Sequence, residues 1–473
     1  MQHIIKKQVF DLSLNKKMDA FNIQHLVSEH YWREIIPVLQ NAFDNISTND
    51  EIITIDKLEI NLGAVTIKDI EKGRWNDEVY KRISEQLDIE IRNVSSIKNT
   101  KKAKNLNAAE QWLFYMQHGY LSWNTIKINE QWHRQVLEVF ATNAVFIDQL
   151  RVIIQTKSHA LKRIINQHSE SFLQSLIETL TAKRQNKLSK IIDEIVPVIK
   201  FFRRKNEEPV ISQKKLKQLF WQQVLQYVSR KKNVSTLSLA VFLLKENISN
   251  PELIQQLPER FFTKNGITSA SLKKLKKEIE GSKNAWQKKE LQQENIIVNE
   301  EIPTTDEEGI FIQNAGIILL HPFLNIFFRN LGLIGSEKFI DEVTQEKAIY
   351  LLHYLATGNV KPEEHELVIA KILCGWSLQK PVTNTIGLTT QELSEANYLL
   401  TEVIERWDAL KDTSSEGLRE GFLQRNGKLL EKNEIWHLQV ETNSIDVLLD
   451  FLPWSLQIIM LPWMNNILKT EWR

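Results

Sequence analysis

The sequence predicts a predominantly α-helical protein with an α+β module at each end. Three observations predict this. No glycine occurs between Gly119 and Gly266, and no proline between Gly119 and Pro197, which favours helices over strands and turns. Strand-like runs fall near the N-terminus and again at 428–441. Helix-capping signatures recur in the last third. At 473 residues the chain has material for about three folding units.

Residues 1–98 read as the N-terminal α+β module. His3 to Leu14 alternates like a strand, and 19–43 carries helix-spaced Phe21, Ile23, Leu26, Val27 and Ile35, with Pro37 interrupting or kinking the helix. Ile53, Ile55, Leu58, Ile60 and Leu62 form a β-rich run stopped by Gly63, and Val79, Ile83 and Leu87 mark a further helix. The polar, basic stretch 93–105 is the first linker. Residues 105–290 read as the central helical region. Asn107 and Glu110 fit a capping box for a helix ending at Gly119, and Pro197, Pro209, Pro251 and Pro258 cut the later part into pieces. Polar 281–308 is the second linker.

Residues 309–473 read as the C-terminal α+β domain. A helix over 342–357 closes on Gly358, and Pro362 opens the next in its first turn. Thr389 with Glu392 and Thr413 with Glu416 fit capping boxes, the first leading a helix with Leu393, Tyr398, Leu399, Val403 and Trp407 on its buried side. Residues 428–441 predict a β-hairpin turning at 432–434. WLFYMQHG (112–119) and LLHYLATG (351–358) echo each other as amphipathic helices ending on a left-handed glycine cap.

Composition excludes several function classes. One cysteine, Cys374, rules out an intramolecular disulfide and a cysteine-only metal cage. The N-terminus lacks the form of a secretory signal. The most apolar stretch, 315–328, is broken by His321, Pro322 and Asn325 and is too short for a bilayer, so a cytoplasmic, non-membrane protein is expected. No phosphate loop, dinucleotide fingerprint, nucleophile elbow or HExxH motif occurs. Glu363, Glu364, His365 and Glu366 are consecutive and so lack the one-face spacing of metal ligands; acids there complement a helix dipole. Cys374 sits among apolar residues as a small hydrophobe would; the opposing reading is a nucleophile with His353 or His365 as base. No catalytic, cofactor or metal residue is therefore assigned.

Charge is uneven. Residues 309–473 hold 14 Lys+Arg against 21 Asp+Glu, whereas 200–290 hold 20 against 8. Lys214, Lys215 and Lys217, Arg230 to Lys232, and Lys273 to Lys277 offer a phosphate-binding surface in principle. Leu272, Leu275 and Ile279 run at helical spacing through the last cluster, which makes the lysines a solvated face, and an acidic protein is the better partner. The chain has 13 tryptophans, and Trp436, Trp454, Trp463 and Trp472 crowd its last 38 residues. Two LPW tripeptides, 452–454 and 461–463, stand nine residues apart. They form either a packed C-terminal core or a docking surface in which Trp436, Trp454, Pro462, Trp463 and Trp472 contact a partner.

GIILLHPFL (316–324), AIYLLHYLATG (348–358), EHELVIAKILCG (364–375), the stretch from Leu388 to Leu429, and IDVLLDFLPWSLQIIMLPWM (445–464) with a terminal EWR resemble the contractile injection system tape measure family. IDKLEINLGAV (55–65) and QWLFYMQHGYLSW (111–123) are similar to it as well. The resemblance implies a non-enzymatic component of a phage-tail-like particle that meets tube, sheath or baseplate proteins and sets or assists tube and sheath length. A helical assembly scaffold or chaperone without ruler function is the alternative, ahead of a Cys/His hydrolase or a nucleic-acid-binding scaffold. A helical ruler extends about 1.5 Å per residue, so at most roughly 700 Å here, and prolines and folded ends shorten that.

Overall fold

The computed structural model describes residues 3–5, 8–15, 19–46, 51–64, 66–68, 76–92, 100–125, 128–185, 188–205, 211–231, 234, 236–247, 309–383 and 386–472. Predicted features at 93–99 and 248–308, including the second linker and Lys273 to Lys277, lie outside them. The fold is predominantly α, with a five-stranded sheet near the C-terminus. Two compact units divide the chain: residues 1–111 with 124–139, and residues 112–123 with 140–473.

In the first unit, α1 (Ala20–His30) runs through a π-helical turn, Tyr31–Ile35, into α2 (Ile36–Ile46). Asp19 caps α1 by accepting from the amides of Phe21 and Asn22. α3 (Asn76–Arg92) lays Val79, Ile83 and Leu87, one per turn, against Ile23, Val27, Ile35 and Leu39. β1 (Glu51–Thr54) pairs antiparallel with β2 (Thr100–Ala103). Part of the predicted linker is thus a strand. The described residues of 3–14 form none, because an alternating segment needs a ladder to join. Ile55, Leu58, Ile60 and Leu62 pack on the helices without strand pairing.

α4 (Lys104–His118) starts before Asn107, which lies inside the helix and cannot cap it. Its last two turns, from Trp112, belong to the second unit and end at Gly119, at φ +83°, as Glu342–Thr357 ends at Gly358, at φ +71°. α5 is Glu130–Thr142. The second unit continues with α6 (Ala144–Thr156), α7 (Ser158–Gln167), α8 (Glu170–Thr181), α9 (Leu188–Lys205), α10 (Gln213–Arg230) and α11 (Thr236–Asn247). Asn143, Ser169 and Ser212 cap α6, α8 and α10. α9 passes straight through Pro197. Burial of Ile191, Ile192, Ile195, Val196 and Ile199 on both sides of it outweighs the roughly 3 kcal/mol that an interior proline costs. α10 buries Phe220 and Trp221 and exposes Lys214 and Lys215, while Tyr227 stacks on Phe242 at 4.2 Å.

The rest of the unit wraps helices around the sheet. β3 (Ile310–Ile312) leads through a 3-10 turn, Ala315–Leu320, into α12 (His321–Asn330). α13 (Glu342–Thr357) is capped by Asp341 and Thr344. A 3-10 turn, Glu364–Leu367, follows Pro362, which therefore stands ahead of the N-cap Glu363 and not in the first turn, and α14 is Val368–Leu373. α15 (Thr390–Arg406) has the predicted Thr389–Glu392 box, but Tyr398 faces out, 62% exposed. α16 (Ser415–Leu418) is capped by Ser414, one residue after the predicted Thr413, and runs into a π turn, Arg419–Leu423. β4 (Gly427–Lys432) and β5 (Ile435–Val440) form the predicted hairpin, with Asn433 and Glu434 both at positive φ. β6 (Ile458–Ile459) and β7 (Leu468–Glu471) complete the order β3-β4-β5-β7-β6. Among the described residues only β5 and β7 pair in parallel. The core runs from Ile310 and Leu438 through the buried faces of α12 to α15.

Candidate functional site

The second unit buries a charge cluster. Arg163, on the apolar face of α7, donates through Nε to Glu364 Oε2 at 3.1 Å. Its other nitrogens reach the carbonyls of Met116 (2.5 Å), Gln379 (2.7 Å) and Leu378 (3.4 Å). Lys371 Nζ lies 2.5 Å from Glu364 Oε1 and donates to Lys380 O at 3.0 Å. The side chains of Arg163 and Glu364 are 0% exposed and that of Lys371 is 1% exposed. Two cations thus share one carboxylate, with carbonyls filling the remaining donors. Burial lowers the Lys371 pKa, Glu364 opposing it and Arg163 adding to it. Burial raises that of Glu346, against hydrogen bonds from the Thr383 amide and hydroxyl. Sealed from solvent, the cluster is built to hold three chain segments together, not to meet a substrate.

Nearby sit two histidines, His353 buried and His365 half-buried. Burial pushes His353 down to about 4 against a weaker backbone contact at Glu366, and pushes His365 down to about 4 with His353 adding repulsion. The Tyr115 ring stands perpendicular to His365, 5.8 Å away. Both imidazoles fold neutral and would charge on unfolding. Stability is then full above the ordinary value of about 6.5 and is lost as pH falls from there toward 4, by about 3 kcal/mol per histidine at most. Glu346 and Glu363, with raised values, work in the opposite direction. Urea denaturation is expected to show lower stability at pH 5 than at pH 7.5. The difference should shrink in a His353→Asn/His365→Asn variant.

Cys374 follows α14 and is fully buried, and burial pushes its thiol well above the usual range. A thiol held protonated is a poor nucleophile at neutral pH. The native protein is expected to resist a bulky thiol reagent and to label once unfolded. Cys374→Ser should cost about 1–3 kcal/mol by burying a hydroxyl, read from the same denaturation curve. Among the described residues no group of three or more His, Cys, Asp or Glu is placed to hold a metal ion, and no helix is long and apolar enough to cross a membrane.

The five predicted contact residues occupy different environments. Trp463 is buried, donates to Leu373 O at 2.8 Å and packs against Phe339 and Phe328, at 5.2 and 5.6 Å. Trp472 is buried and donates to Asp446 Oδ2 at 3.3 Å, while Arg425 holds the other oxygen at 2.6 Å. Trp454 is half-buried, donating to Leu319 O at 3.1 Å with its ring against Phe323 at 5.1 Å. Trp436 is half-buried beside the core, and Pro462 is exposed. Sequence reasoning missed the charge cluster. The available signal was Lys371 standing alone inside the apolar run ELVIAKILCGW.

A search of curated proteins and one of solved structures each return no match. Residues 2–472 match the model of the family described as contractile injection system tape measure protein. With that match spanning nearly the whole chain, the protein belongs to the contractile injection system tape measure family and is a structural component of such a system.

Proposed function

We propose that the chain acts in the contractile injection system as a folded assembly factor that docks onto tube, sheath or baseplate proteins, and not as an extended ruler. The observation that carries this is the Arg163–Glu364 bond. The segment 121–196 is the stretch best suited by composition to span as a rod. Instead it forms helices of 10 to 18 residues, and one of them is locked to residues 364–380 through a buried ion pair. Extending it would strip Arg163 of its carboxylate and carbonyl partners and leave Glu364 with Lys371 alone. Contact with particle proteins is made through the half-exposed rings of Trp436 and Trp454 and the exposed Pro462, with Trp463 and Trp472 anchoring that surface from beneath. Assembly takes place in the cytoplasm, before the particle is complete.

The family description favours the ruler reading, and one experiment separates the two. Deleting about 21 residues within 121–196, near whole turns, shortens a helical ruler's tubes by roughly 30 Å with a narrow length distribution. A folded assembly factor loses a helix from its core, so few or no particles form and those that do keep their normal length. Electron microscopy of tube lengths reads both. A proportional shift across two deletion sizes would overturn the assembly-factor reading.

A further inference from the structure

The segment 376–383, between α14 and α15, contains no helix or strand. Yet five of the six carbonyls from Leu378 to Thr383 accept from side chains. The donors fall on two sides. From the C-terminal part, Lys371 Nζ and Trp376 Nε1 donate to Lys380 O at 3.0 and 2.9 Å, and Tyr350 Oη donates to Thr383 O at 2.9 Å. Thr383 in turn donates its amide and hydroxyl to Glu346, and Val382 is buried in the core around the sheet. From the other side, among the described residues, come two residues of α7. Arg163 donates to Leu378 O and Gln379 O, and Asn166 donates to Val382 O at 3.1 Å. The segment is a strap fixed to residues 309–472, and α7 plugs into it.

Apolar packing takes a different route. α6 to α11 pack on one another. Among the described residues, the core around the sheet takes only Tyr120 from 112–247, with Phe114 packed against it. The attachment of α6 to α11 to the C-terminal part therefore rests mainly on polar contacts. Polar groups regain water on separation, so parting there costs far less than unfolding either side. A junction of that kind within a chain permits relative motion. Residues 112–123 hold both sides: Trp112 Nε1 donates to His168 Nε2 at 3.0 Å, while Tyr120 lies in the core around the sheet.

We propose that α7 and the strap form a latch. In the open form α6 to α11 swing away together about residues 112–123, Arg163 and Asn166 leave the strap, and both sides keep their folds. Glu364 retains Lys371, and water takes over the freed guanidinium and carbonyls. This open form is a second folded state and not an extended rod. A particle protein that binds either uncovered face shifts the chain toward it. The latch rests on the folded assembly-factor reading, which tube lengths test separately.

Three buried arginines report on three places. Arg163 lies at the latch with its side chain 0% exposed. Arg151 lies within α6 to α11 and donates to Val228 O and Ser229 O, both at 2.9 Å. Arg425 lies within the C-terminal part, bonded to Asp446. The native full-length chain is treated with phenylglyoxal, which modifies guanidinium groups, and each site is read by peptide mass spectrometry. Arg163 is expected to react about tenfold faster than the other two, or more. Its rate should change little in dilute urea, because opening exposes little apolar surface, whereas the other two rates should rise steeply. Asn166→Ala, checked for folding by circular dichroism, should raise the Arg163 rate about tenfold and leave Arg151 and Arg425 unchanged. One common rate for all three means that Arg163 is reached only by unfolding, and overturns the latch. A fast Arg163 that Asn166→Ala leaves unchanged overturns the strap as the point of release. If that variant does not fold, the wild-type rates decide, and a steep urea dependence at Arg163 overturns the proposal.

Discussion

Glu364→Gln is expected to destabilise the second unit by about 3–5 kcal/mol, because it leaves Arg163 and Lys371 buried without their shared carboxylate. The amide keeps nearly the same shape, so packing does not account for the loss. Arg163→Met should cost less, since Glu364 retains Lys371, although the carbonyls of Met116 and Gln379 lose a donor. Replacing all three charged residues with apolar ones of similar size should recover part of the loss, as for other buried ionic clusters. Denaturant titration at neutral pH gives the values. A cost below about 1 kcal/mol for Glu364→Gln would mean that the cluster opens to water in solution.

Gly316→Ala is the second large effect. A Cβ on Gly316 would stand 1.7 Å from the carbonyl oxygen of Phe422, closer than any contact permits. The obstruction is backbone, so no side chain can rotate away, and the 3-10 turn over 315–320 must separate from the π turn over 419–423. A loss of about 3 kcal/mol or more is expected, at the upper end of overpacking costs. Gly335→Ala provides the control, because the nearest atom, Lys338 O, would lie 3.9 Å from the new carbon. Thermal unfolding of both variants should show a large drop for the first and almost none for the second.

Local signals carried much of the fold. The Thr389–Glu392 box, the glycine ends at 119 and 358, and the 428–441 hairpin are each specified within a few residues, and the structure has all of them. Local signals also erred where a neighbour serves equally well: Ser414 caps α16 in place of Thr413. β2 was hidden because TKKA has no strand-like alternation and owes its pairing to residues 51–54. Pro197 misled because the packing that tolerates it comes from other helices. The charge cluster was least legible, since nothing near Arg163 indicates that its carboxylate comes from residue 364.

That separation has a consequence for biosynthesis. Arg163 and Glu364 are 201 residues apart, and the ribosome adds roughly 5–20 residues per second. Arg163 is therefore made on the order of 10–40 s before its carboxylate. Until then a guanidinium sits on the apolar face of α7 with nothing to neutralise it, and that face cannot close. The helices from α6 onward wait, half-assembled and sticky, for the last third of their own polypeptide. Slow codons or a stall between 250 and 360 would prolong that exposure and should raise the fraction of nascent chains captured by chaperones or lost to aggregation.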